Sequence, residues 1–204
     1  MTNSEQYMEA NHLPSRWGFW LQWVLTGIIT SWLIQLLDAP STNFTAQASQ
    51  VVYFLVIMSI LWSIMQWLIL RRYLPRAGWW IPASAVGIFA GWVLGGMFVG
   101  VANALLGLNI WDSQEHPFLL VYTGIQGACI GFFQWLVLRK KVRRAGLWIL
   151  ACSIAWALAQ ATFILGLNLS VGGILLTDLT VVVGAITGVV LVWLLRQPAL
   201  IQDR

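Results

Sequence analysis

The sequence predicts an all-α integral membrane protein with six transmembrane helices, arranged as three parallel tandem hairpins. Three observations carry this expectation. The chain is 59% hydrophobic and only 9% charged over 204 residues, whereas a soluble domain is nearer a quarter charged. Its mean hydropathy is +0.78 and it holds 14 Trp, a composition that fits several apolar spans. Its 11 Lys and Arg sit in short clusters between long apolar runs, which suits membrane topology and argues against a nucleic-acid-binding face.

Residues 1–15 form a polar tail without the charged-then-apolar order of a cleaved signal. The first span is expected from about Trp17 to Leu37, followed by a polar loop with Pro40, Ser41 and Asn43 as turn formers. The second runs from about Ala48 to Leu70. From Trp79 to Leu108 the chain stays uncharged for 30 residues. As one helix that run is about 45 Å long, against a hydrocarbon core of about 30 Å. It must tilt, project or break, and Gly95-Gly96 is the expected break. The fourth span starts at Pro117, a favoured first-turn position for proline, and ends at Leu138. The fifth covers about Leu147 to Leu167, and a turn with Asn168, Ser170, Gly172 and Gly173 leads to the sixth, about Leu175 to Leu195. The expected organisation is therefore a tail (1–15), one membrane domain (16–196) built of hairpins 16–75, 76–143 and 144–196, and a short tail (197–204).

With six spans, every basic residue falls on one side of the membrane, at Arg16, Arg71–Arg76, Arg139–Arg144, Arg196 and Arg204. The preference of cytoplasmic loops for Lys and Arg then places both termini in the cytoplasm, with a bacterial plasma or thylakoid membrane as the setting.

The hairpins share a motif. Gln66-Trp67-Leu68-Ile69-Leu70-Arg71 precedes Arg76-Ala77-Gly78-Trp79-Trp80, and Gln134-Trp135-Leu136-Val137-Leu138-Arg139 precedes Arg144-Ala145-Gly146-Leu147-Trp148. Fainter copies are Arg16-Trp17-Gly18-Phe19-Trp20 and Trp193-Leu194-Leu195-Arg196. All copies enter from the same face, so a pseudo-threefold axis would follow the membrane normal. Arg16, Arg71, Arg76, Arg139, Arg144 and Arg196 read as snorkelling anchors. Trp20, Trp67, Trp80, Trp135, Trp148 and Trp193 read as interfacial anchors with their N–H groups toward lipid carbonyls. The paired elements resemble those of small multi-pass membrane proteins associated with cyanobacteria and related bacteria, a group uncharacterised as to activity. The resemblance covers about Gln66 to Gln160 well and the end copies weakly; it implies a membrane location and no site.

In the repeat, Gly27, Gly87 and Ala155 correspond, as do Ser31, Gly91 and Ala159, and Ser59, Gly127 and Ala185. Gly87, Gly91 and Gly95 make a ladder on one face of the third helix, with shorter ladders at Gly127/Gly131 and Gly184/Gly188. Packing of hairpin on hairpin explains such faces; a groove for a flat ligand or a partner helix is the functional alternative. Gln66 and Gln134 stand at equivalent positions as polar groups at membrane depth, with Asn103, Gln126 and Gln160 also there. They are glue between helices or the lining of a central site. Asp178 is the only carboxylate inside an apolar run, near a helix start where a capping role is favoured over proton or cation handling. His12 and His116 lack partners at ligand spacing, and Cys129 and Cys152 read as structural thiols, so no metal or haem is expected. No nucleophile elbow, phosphate loop or paired carboxylates appear.

The expectation is a non-catalytic accessory or scaffold protein. Its partners would be membrane lipids, other membrane subunits or itself, and not nucleic acid. No cofactor is predicted, though bound lipid or an apolar pigment is compatible with it. The alternative is a carrier or channel for a small neutral or weakly charged solute, which would need an open polar path joining Gln66, Gln134 and Asp178.

Overall fold

Arg76 and Arg144 start their helices from the same unusual backbone. Both adopt left-handed dihedrals, with φ of 60° and 59°, a conformation that costs a residue with a side chain about 1–2 kcal/mol. Each turns the chain sharply from a basic loop into an apolar helix. The structure, a computed structural model, describes residues 16–37, 57, 59–74, 76–108, 110, 117–167, 170–171, 174–175 and 179–197.

Among these residues the regular structure is α1 (Arg16–Leu37), α2 (Ser59–Leu70), a 3-10 turn (Ala77–Trp79), α3 (Trp80–Leu106), α4 (Phe118–Leu138), α5 (Leu147–Ile164) and α6 (Leu179–Leu195). Two-residue strands β1 (Ser170–Val171) and β2 (Ile174–Leu175) pair antiparallel between α5 and α6. The fold is all-α apart from this small hairpin.

Three sequence expectations are corrected. The third helix does not break at Gly95-Gly96: α3 is continuous for 27 residues and stops at Gly107, whose φ of 63° ends it as a left-handed cap. Gly95 cannot act as a hinge because its Cα is packed against Tyr122 of α4. The fifth helix ends at Ile164, short of Leu167, because Gly166 turns left-handed at φ 62°. The sixth begins at Leu179 and not at Leu175, since Ile174 and Leu175 are used in the β-hairpin.

Ala77–Leu106 and Phe118–Leu138 are long and apolar enough to cross a membrane, with mean hydropathies of 2.0 and 1.3. Their most apolar windows are only 22% and 33% buried within the chain. Phe89, Met97 and Leu105 of α3 therefore point outward, an arrangement water would penalise. The helices Ser59–Leu70, Leu147–Thr162 and Thr180–Leu195 are apolar but shorter.

Helix α4 packs between α3 and α5, and α6 packs between α5 and α1. Glycines set the spacing. A Cβ on Gly87 would lie 2.7 Å from the Ile130 Cα, one on Gly91 2.8 Å from the Gln126 Cα, and one on Gly127 2.5 Å from the Cys152 carbonyl. Real side chains cannot occupy such gaps, so these helices meet backbone to backbone. The Gly87–Gly91–Gly95 face is therefore filled by α4, its own hairpin partner. That overturns its reading as a ligand groove, and as a contact between hairpins. Gly127 and Gly131 hold α4 against α5, which does join successive hairpins. Gly95 and Gly96 separate the two effects of a glycine. A Cβ on Gly95 would meet the Tyr122 ring at 2.7 Å, while Gly96 has nothing within 4 Å. Gly96→Ala is expected to gain about 0.5–1 kcal/mol of helix propensity; Gly95→Ala is expected to gain none. Thermal unfolding in detergent distinguishes them.

The main buried cluster lies at the basic-loop end. It draws Phe19 from α1, Leu70 from α2, Trp80 from α3, Leu138 from α4, Trp148 from α5 and Leu194 from α6 into one core.

Candidate functional site

The glutamines of the repeated motif bond to the tryptophans that follow them. Trp80 Nε1–H donates to Gln66 Oε1 at 2.9 Å, and Trp148 Nε1–H donates to Gln134 Oε1 at 2.8 Å, across the same separation of 14 residues. The left-handed turn at Arg76 or Arg144 lies inside each span and brings the next helix back beside the glutamine. Indole N–H is a donor only, so a buried tryptophan needs such an acceptor. Gln134 also donates through Nε2 to Ser84 Oγ at 2.9 Å.

The junction of α6 with α1 is built differently. Trp23 Nε1–H donates to Thr187 Oγ1 at 3.1 Å, and Trp20 Nε1–H to the Ala185 carbonyl at 2.9 Å. Thr180 Oγ1–H donates to the Gly27 carbonyl at 3.0 Å. The spacing of the motif equates Trp20 with Trp80 and Trp148; the structure instead places Trp23, one turn later, beside them. In α1 the arginine is itself helical, whereas Arg76 and Arg144 stand in left-handed backbone ahead of their helices.

Trp23, Trp80 and Trp148 form a triangle with ring centroids 6.0–6.4 Å apart. All three rings are buried, at 0%, 0% and 1% exposure. This corrects the interfacial role expected of Trp80 and Trp148: their N–H groups serve glutamines, not lipid carbonyls. Trp67 and Trp135 do meet cations, with Arg71 and Arg139 over their rings at 5.2 and 5.4 Å. That contact uses the four-residue spacing of a helix face. The third copy is one residue shorter between Trp193 and Arg196.

On the far side of the triangle from the basic loops lies a cavity of about 330 Å³, within the range of small-molecule sites. Each of five helices gives it one stripe at helical spacing: Ser59, Trp62 and Gln66 from α2; Ser84, Ile88 and Trp92 from α3; Tyr122, Gln126, Ile130 and Gln134 from α4; Trp148, Cys152, Trp156 and Gln160 from α5; Thr180, Val183 and Thr187 from α6. Two of its lining residues, Trp62 and Trp156, stack on each other with ring centroids 6.2 Å apart at 24°. Among the described residues the lining contains no Asp, Glu, Lys, Arg or His.

The hydroxyls are largely committed. Thr187 donates to the Val183 carbonyl while accepting from Trp23, and Thr123 donates to the Leu119 carbonyl. Gln126 differs. It is 7% exposed, and among the described residues its amide has no hydrogen-bond partner. Nor has Nε2 of Gln66. Neither group is fully shielded; each keeps polar surface toward the cavity, where an incoming ligand or water would bond it.

The structure thus brings Gln66 and Gln134 to one cavity together with Gln126 and Gln160. Asn103 is elsewhere, accepting from the Ile110 N–H at 3.1 Å. Trp62 and Trp156 were not singled out from the sequence, and the four-residue spacing of Trp148, Cys152, Trp156 and Gln160 was the available signal. Cys152 is a buried free thiol on the cavity wall, and Cys129 is a half-buried free thiol. Asp178, His12, His116, Ser31 and the Arg16 side chain lie outside the described residues. No family model, curated protein or solved structure matches this chain.

Proposed function

We propose that this protein is a non-catalytic integral membrane protein that binds a small, uncharged, planar molecule between its helices. In this reading the six helices cross a bacterial membrane as three tandem hairpins, with both termini and all the arginine-bearing loops on the cytoplasmic side. The alternation of basic loops and apolar helices supports that topology, as does the outward-facing apolar surface of α3 and α4. The observation that carries the binding function is a cavity walled by indoles, without charge among its described residues, with the Gln126 amide inside it and unpartnered among those residues. Flat rings of indole suit a flat apolar ligand. An amide offers one donor edge and one acceptor, which suits a ligand bearing a carbonyl or hydroxyl. An apolar cofactor or pigment with such a group fits; for an ion, no charge among the described lining residues would compensate its own.

The carrier alternative is less well supported. A path through the bundle would have to pass the Trp23–Trp80–Trp148 triangle, with Leu70 and Leu138 buried in the same cluster. The test is purification in mild detergent followed by organic extraction and mass spectrometry. A neutral small molecule is expected at close to one per chain. Gln126→Leu is expected to lower its retention about tenfold, the equivalent of one hydrogen bond at about 1.4 kcal/mol. A bare chain, or equal retention by the variant, would count against the reading.

A further inference from the structure

A second recess, of about 490 Å³, opens at the basic-loop end between the start of α3 and the end of α4. Its rim carries Arg76, Arg139, Lys140 and Lys141. Below the rim its wall turns apolar, with Val86 from α3 and Phe133 and Leu136 from α4. Among the described residues these cations meet no carboxylate: the chain has no Asp or Glu between Asp38 and Asp112, or between Glu115 and Asp178. Lys141 is the sharpest case. Its Nζ is buried and has no hydrogen-bond partner among the described residues. Burial, and then the charge of Arg76, push the Lys141 ammonium below its ordinary pKa. An ammonium withdrawn from water beside a guanidinium, with no anion among the described residues, is a site short of one negative charge.

We propose that this recess holds an acidic glycerophospholipid, its phosphate among Arg76, Arg139, Lys140 and Lys141 and one acyl chain along Val86, Phe133 and Leu136. Charge complementarity selects an anion, and the apolar wall selects one that carries a hydrocarbon chain. A free phosphate or a nucleotide would leave that wall uncovered. The arginines supply forked donors for phosphate oxygens, and the lysines supply point charges. The proposal rests on the membrane-spanning reading above, but not on the ligand of the inner cavity.

Native mass spectrometry of the full chain in detergent tests it, with phosphatidylglycerol and phosphatidylcholine of matched acyl chains as probes. A single phosphatidylglycerol, which brings a net negative charge that phosphatidylcholine lacks, is expected to bind at about one-tenth the concentration that phosphatidylcholine needs, a difference of about 1.4 kcal/mol. The Arg139→Gln/Lys141→Gln variant is expected to lose that preference, and Lys141→Arg to keep it. Gln126→Leu, in the inner cavity, is expected to leave it unchanged. Equal binding of the two lipids by the unaltered chain overturns the proposal, as does a preference that survives in the double variant. Displacement of the lipid by millimolar inorganic phosphate also overturns it, because the site would then be one for a free anion. A chain that remains dispersed without detergent and binds neither lipid overturns the membrane reading itself.

Discussion

Gln134→Leu is expected to destabilise the protein by about 2–4 kcal/mol, with a shape change that is otherwise mild. The side chain is 3% exposed. It accepts from Trp148 and donates to Ser84, so it joins α3, α4 and α5 at one point. Leucine fills much of the same volume but strands the Trp148 N–H, at about 1–3 kcal/mol for a buried donor. Bonds between membrane helices average nearer 0.6 kcal/mol and reach about 1.7, which keeps the estimate from rising further. Ser84 can turn its hydroxyl to a carbonyl one turn back and recover part of its loss. The decisive comparison is with Gln134→Leu/Trp148→Phe. Removing donor and acceptor together leaves nothing stranded, so the double variant is expected to lose less than the two singles combined. Unfolding by heat or denaturing detergent gives the three values. Strict additivity would mean that the bond contributes nothing.

Gly127→Val is expected to have a larger effect still. A Cβ there would stand 2.5 Å from the Cys152 carbonyl oxygen and 2.9 Å from the Trp156 Cβ. Neither is the far end of a flexible side chain. Helices α4 and α5 must separate, and the cost is expected at or above the upper end of the usual 1–3 kcal/mol for an overpacked core. The displacement also moves Trp156, so loss of the inner-cavity ligand should accompany the loss of stability. Gly124→Ala is the control one turn away. Its nearest neighbour, Ser153 Oγ, would be 3.7 Å from the new carbon, an ordinary contact. Both variants can be followed by thermal unfolding and by ligand retention. A stable Gly127→Val protein would contradict the close approach of the two helices.

Much of this was legible in the chain because it follows from local rules. Apolar runs between basic clusters mark the helices, and Pro117 marks where α4 begins. The 14-residue spacing from Gln66 to Trp80 recurs from Gln134 to Trp148 and marks the two glutamines as equivalent. What sequence could not supply was the partner across space. The Gln–Trp bond depends on the left-handed turn at Arg76 and Arg144, a backbone state that arginine rarely adopts and that no residue type there announces. The place of Trp23 was hidden for a related reason. The first copy of the motif looks like the others but folds as helix from Arg16 onward, so the indole one turn later reaches the triangle. The ladder Gly87–Gly91–Gly95 showed that something approaches closely, but a row of glycines does not say whether a ligand, a neighbouring hairpin or its own partner helix does so. Gln126 was visible only as a polar residue in an apolar run; that it has no partner among the described residues emerges from where their donors and acceptors stand.

The junction of α1 with α6 has a consequence for how the protein comes into being. Its hydrogen bonds join residues 153 to 165 positions apart, whereas those from Gln66 and Gln134 to their tryptophans span 14. Short connections close first and long ones last. While the ribosome is still adding α6, the indoles of Trp20 and Trp23 lack the acceptors that helix brings, and the inner cavity has one wall missing. Under the proposed function, that interval is when an apolar ligand enters sideways, and the arrival of the final helix shuts it in.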